Sequence, residues 1–167
     1  MRAMVIAAGI GLTGCPPPMP EEIPGPCESD RSALDVAPPD GAFGDLGDGD
    51  TLWCGNPPQG GAPYTPFRLR VRGPEAWEDG AEVLMTAADA DGTELGWTQL
   101  TLGLTCANVG ESAGSWVGSE AHLRYSGWGL DELDGMAATV TLSATALADP
   151  SVHVSRAFEV VLDTEPL

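Results

Sequence analysis

Residues 64–73 read YTPFRLRVRG. Phe67, Leu69 and Val71 alternate with Arg68, Arg70 and Arg72, so the two kinds of side chain fall on opposite sides of an extended chain. A period of two with one apolar side predicts a β-strand lying on a core. Residues 136–147, MAATVTLSATAL, repeat the pattern, with Val140, Leu142, Ala144 and Ala146 inward and Thr139, Thr141, Ser143 and Thr145 outward. Residues 151–163 do so again, placing Val152, Val154, Phe158, Val160 and Leu162 on one face.

Further strands follow outward from these three. AEVLMTA precedes Asp91-Gly92, a strong hairpin-turn dipeptide. LGWTQLTLGLTC places Leu100, Leu102, Leu104 and Cys106 on one side, opposite Thr101 and Thr105. WVGSEAHLRY sets Val117, Ala121, Leu123 and Tyr125 inward, and Glu120, His122 and Arg124 outward. No sustained helical period occurs, and DELDGM supplies one turn at most. Short strands separated by Gly, Pro and Asp turns predict an all-β antiparallel β-sandwich. The pattern resembles the immunoglobulin-like and fibronectin-like modules of cell surfaces. It departs from a true immunoglobulin domain in the position of Trp97, which lies nearer the second cysteine of the expected pair than the first.

The chain opens MRAMVIAAGIGLTGC. Its apolar stretch, Ala3 to Leu12, is too short for a membrane span and suits a signal-peptide core. Leu12-Thr13-Gly14-Cys15 resembles the lipobox of bacterial lipoproteins. The resemblance implies cleavage before Cys15 and diacylglyceryl modification of its sulfur. It also implies a bacterial cell-envelope location, with the outer membrane or cell surface favoured because Pro16 is not the Asp of inner-membrane retention. The following PPPMPEEIPGPCESD is rich in proline and acid, a composition that extends instead of folding. The expected organisation is a signal segment at 1–14, a lipidated tether at 15–32 and a β-sandwich at 33–167.

The formal net charge is −18, and no lysine occurs. Removing residues 1–14 removes Arg2 and no acid, which takes the charge to −19. Such a chain is repelled by phosphate backbones, so no nucleic-acid partner is expected, and contact with anionic membranes falls to the lipid. In an oxidising envelope, a disulfide is expected among Cys27, Cys54 and Cys106. Cys54 and Cys106 lie in strand-like surroundings, TLWCG and LGLTCAN, which favours Cys54–Cys106 and a gain of roughly 4 kcal/mol. Cys27 would then be free or bridge to another chain. The competing pairing, Cys27–Cys54, would staple the tether to the domain.

Several stretches invite chemistry. GESAG (110–114) matches the Gly-x-Ser-x-Gly elbow of α/β-hydrolases, with Asp134 and His153 following Ser112 in triad order. The elbow needs a helix after the serine, but the residues that follow alternate as a strand, so no catalytic residue is expected. Asp45, Asp48 and Asp50 could offer oxygens to calcium, as could Asp89, Asp91 and Glu94, yet neither spacing is that of an EF-hand. The first set reads as a solvated loop and the second as a hairpin turn. His122 and His153, with Glu120 and Glu159, would bind zinc only if their strands paired in register. No metal or cofactor is expected. The arginine stripe, Arg68, Arg70 and Arg72, predicts salt bridges to Glu82, Glu120 or Glu159, or else a ridge for an acidic partner or anionic glycan. Trp116 and Trp128 sit beside Gly and Ser, where they would either cover the core or, with Tyr64, stack on a sugar. The expected role is structural or protein-binding, in contact with another envelope component. Glycan binding is the alternative, and serine hydrolysis is the remote one.

Overall fold

A computed structural model describes residues 27, 29, 31–108 and 110–165. The signal segment, Cys15 and most of the tether lie outside the described residues. The expected β-sandwich is present, with two five-stranded sheets. The first is built on the arginine-bearing segment, β3 (Tyr64–Arg72). On one side of β3 lies β1 (Ala33–Ala37). On the other side lie two short strands end to end. β8 (Ala121–Arg124) pairs with Tyr64–Phe67, and β7 (Ser115–Gly118) pairs with Arg70 and Val71. β6 (Leu104–Ala107) continues outward from β7.

The second sheet runs in the order β2 (Asp50–Trp53), β10 (His153–Asp163), β9 (Ala137–Ala146), β4 (Ala81–Asp89) and β5 (Glu94–Leu102). Its pairs are antiparallel except β2–β10, which is parallel and departs from the wholly antiparallel expectation. The Asp91-Gly92 turn is where the sequence placed it. Gly92 has φ +83°, and the Asp89 carboxylate accepts the N–H groups of Asp91 and Thr93. One turn of helix, α1 (Leu130–Leu133), falls in the stretch that allowed a single turn.

Alternation placed most inward residues correctly. Phe67, Leu69, Val71, Leu123, Tyr125, Val140, Leu142, Val160 and Leu162 are all buried in one core. Two details differ. LGWTQLTLGLTC is not one strand: at Gly103 the chain passes from the edge of the second sheet to the edge of the first. Leu102 and Leu104 both stay buried because the two sheets share one interior. The second difference is at β7, where Trp116 is buried and Val117 is not. Ser119 and Glu120 separate β7 from β8 and shift the alternation by one residue, which exchanges the two faces.

A hydroxyl relay closes the core at the Tyr64 end of β3. The Thr65 hydroxyl donates to the Trp53 carbonyl (2.9 Å) and so accepts from the Tyr125 hydroxyl (2.9 Å). Cys54 is a free, fully buried thiol beside it. Burial pushes the Cys54 thiol up to about 12, against an opposing pull from its hydrogen bond with Thr65. Burial also raises the Tyr125 phenol, again opposed by Thr65. Both groups hold their protons longer in the folded chain than in the unfolded one. Their contribution to stability is therefore complete well below pH 9.0, the midpoint of the unfolded thiol's ionisation, and is lost as pH rises through it toward 12. Urea unfolding of the wild-type and Cys54→Ala chains across that window should show the steeper decline in the wild type. Equal slopes would remove Cys54 from the account.

Candidate functional site

The disulfide joins Cys27 to Cys106, with Cα atoms 5.7 Å apart, and corrects the expected Cys54–Cys106 pair. The rival Cys27–Cys54 pairing is not formed either. The reason is position along β3. Cys106 lies in the row Cys106–Trp116–Val71, whereas Cys54 lies beside Thr65 at the other end of the strand. Six residues of strand span roughly 20 Å, far beyond the roughly 7 Å limit between bridged Cα atoms. Cys27 is buried, and its sulfur lies 3.3 Å from the Ser115 carbonyl oxygen. Ser29 donates its N–H to the Gly73 carbonyl (3.0 Å). The folded unit thus takes in Cys27, which the sequence had left in the tether.

The hydrolase constellation is not assembled. Ser112 sits in a 3-10 turn, Gly110–Ser112, that leads into β7 and not into a helix. Asp134 accepts from Thr164, His153 bonds the Ser151 carbonyl, and His122 bonds Glu120. The aspartates of 45–50 are occupied separately. Asp45 accepts from the Ala42 N–H, Asp50 from Gly47 and Asp48 from Glu159. No group of three metal-capable side chains occurs among the described residues. His122 and His153 lie in different sheets, so the zinc arrangement has no geometry.

The arginine stripe is paired internally, though not with the glutamates expected. Asp35, opposite Arg70 on β1, accepts from Arg70 Nη2 at 2.9 Å and Nε at 3.2 Å, and from Arg72 Nη2 at 3.1 Å. Arg70 also donates to the Glu111 carbonyl (3.0 Å), and its guanidinium lies 4.5 Å from the centre of the Phe43 ring. Arg68 is bound to the carbonyls of Pro38 and Gly41. Glu82, Glu120 and Glu159 lie on other strands or loops, and β1 is the neighbour that fills the space. The stripe is consequently not a free ridge for an acidic ligand.

Of the aromatic candidates, Trp116 is buried at 7% exposure, and Trp128 packs half-buried against the core. Burial removes Trp116 as a stacking platform. The exposed tryptophan is one that sequence reasoning passed over, Trp97, at 54%. Its signal was legible: Trp97 shares parity with Gln99 and Thr101, the polar side of its strand.

Trp97 stands at the corner of two surfaces. The first is the outer face of the second sheet. Cross-strand register aligns Trp97–Thr86–Thr141–Ala157 and, beside it, Gln99–Leu84–Ser143–Ser155. Neither row carries a charge, in a chain of net charge −18, and Leu84 is 41% exposed. Glu82 and His153 border one side, and Glu94 and Glu159 the other. The second surface is a cleft of about 470 Å³ between β5 and β8, walled by Trp97, Glu120, His122 and Arg124 and floored by Leu100 and Ala121. Gly96 lets the two strands meet there, because a Cβ on it would lie 2.3 Å from the Arg124 carbonyl oxygen. The Arg124 N–H, turned toward β5, is capped by the Thr98 hydroxyl (3.1 Å).

No protein-family model matches the chain, and neither a curated protein nor a solved structure matches it.

Proposed function

We propose that this chain is a lipid-anchored, non-enzymatic module of the bacterial cell envelope that docks on another envelope protein through the outer face of its second sheet. The observation that carries the reading is the pair of uncharged rows across β5, β4, β9 and β10. Interface cores are depleted of charge, and a strongly acidic chain that keeps one broad face neutral lowers both repulsion and desolvation cost there. The partner's matching surface is accordingly uncharged and flat. The anchor rests on the lipobox resemblance at Leu12–Cys15. The Cys27–Cys106 bridge supports a tether fastened to one end of the domain, so that the sandwich would hang from a defined point.

Two variants of the full chain test the two halves of this reading. Cys15→Ser should shift the protein from the membrane to the soluble fraction, and unchanged fractionation sinks the anchor. Cross-linking in cells should capture one recurrent protein with the wild type and lose it with Leu84→Asp, which places a charge in the centre of the neutral face. Capture that is indifferent to Leu84→Asp rules that face out.

A further inference from the structure

We infer that the cleft between β5 and β8, which meets the docking face at Trp97 and Gln99, is a binding site for a neutral saccharide. Its volume, about 470 Å³, falls within the roughly 300–1,000 Å³ of small-molecule sites. A smaller pocket of about 200 Å³, between Pro57–Ala62 and Tyr64, shares His122 and Arg124 with it.

The chemistry of the walls selects the ligand class. Trp97 leaves more than half of its surface in water at the rim of this groove. An indole so placed offers a flat apolar face with polar groups around it, as the C–H face of a sugar ring requires. Across the cleft, His122 Nε2 lies 2.6 Å from Glu120 Oε1. The His122 ring is tilted against Tyr64 (centroids 4.6 Å apart), and Tyr64 meets Trp53 edge-on at 6.0 Å. That stack holds the wall in place before any ligand arrives, which lowers the ordering cost of binding. Arg124 is exposed and has no acidic partner among the described residues, so its guanidinium N–H groups are available to hydroxyl oxygens. Glu120 supplies acceptors. Donors, acceptors and an aromatic plate together match a polyhydroxylated ring.

Charge decides between neutral and acidic saccharides. A protein of net charge −18, with Glu120 in the wall itself, repels a polyanionic glycan, and one arginine does not reverse that field. Placement is consistent with presentation. Tyr64 and Arg124 form one row, and Val71 shares the row of the tether disulfide. Seven residues of β3 separate them, about 23 Å, so Arg124 marks the end of the groove farther from the tether disulfide.

The test is isothermal titration of the full chain in detergent with maltohexaose, cellohexaose and chitohexaose. Saturable binding of at least one is expected, weakened about tenfold or more by Trp97→Ala and by Arg124→Ala. Trp97→Phe should retain part of the affinity, and unfolding midpoints of the variants serve as the folding control. Leu84→Asp should bind the saccharide as the wild type does, whatever it does to protein capture. The inference is overturned by absence of heat with all three sugars at about 10 mM, a concentration that would reveal even millimolar affinity. Affinity unchanged in Trp97→Ala, or lost in Leu84→Asp, overturns it as well. None of these outcomes touches the membrane or cross-linking results that decide the docking function.

Discussion

Replacing Cys27 and Cys106 together with alanine should lower the unfolding free energy by roughly 4–5 kcal/mol. The bridge spans 79 residues of sequence, and tying such distant points restricts the unfolded chain far more than the folded one. Domains of this size are stable by about 5–15 kcal/mol, so the variant would lose a third or more of its stability. Urea unfolding followed by tryptophan fluorescence measures this directly. The midpoint should fall, and the m-value should rise because the unlinked unfolded chain exposes more surface. Reduced wild-type protein should behave as the variant does. A midpoint within error of the oxidised protein would mean that burial of Cys27 against β6 and β7 holds the N-terminal segment without covalent help.

Asp35→Ala should destabilise the chain by about 2 kcal/mol, below the roughly 3–5 kcal/mol of a fully buried broken pair. The discount reflects partial access to water: the Arg70 and Asp35 side chains are 12% and 17% exposed. Removing the carboxylate leaves the largely buried Arg70 beside the half-exposed Arg72, with Glu111 4.0 Å away as its remaining ion-pair partner. Phe43, packed over Arg70 and held by its N–H to Glu111, should loosen with it. Replacing the pair by apolar residues, Asp35→Leu with Arg70→Met, should recover most of the loss. A loss of less than about 0.5 kcal/mol in Asp35→Ala, the size of an exposed pair, would show that solvent screens this cluster fully.

Strand identity and inward faces were legible because β-structure writes its burial into nearest neighbours two apart. The segments of β3, β9 and β10 each carry that signal within about ten residues, and each folds as read. β1 was not read as a strand, and β2 only as the strand-like surroundings of Cys54. ALDVA and DTLW are too short to show a period, and they become strands because β3 and β10 offer them edges. The Gly103 crossover and the shift of face between Trp116 and Ala121 were also hidden, since an alternating pattern does not say which sheet it belongs to.

Pairings between distant residues lay beyond local pattern altogether. Cys54 and Cys106 have equally strand-like neighbours, and only the register along β3 separates them by the length of the sheet. The arginine stripe was visible in YTPFRLRVRG, whereas its partner Asp35 was chosen by the strand that came to lie beside it. The tryptophans divide between the two levels: Trp97 is exposed on the polar side of its strand, as parity allows, whereas the packing of Trp116 and Trp128 against the core was settled by the sheets around them. By itself, the order of residues determined an acidic all-β chain with alternating faces and a hairpin at Asp91-Gly92. Tertiary structure decided which cysteines meet, which charges cancel and where a neutral face and a groove are left open, because these depend on register between segments far apart in the chain.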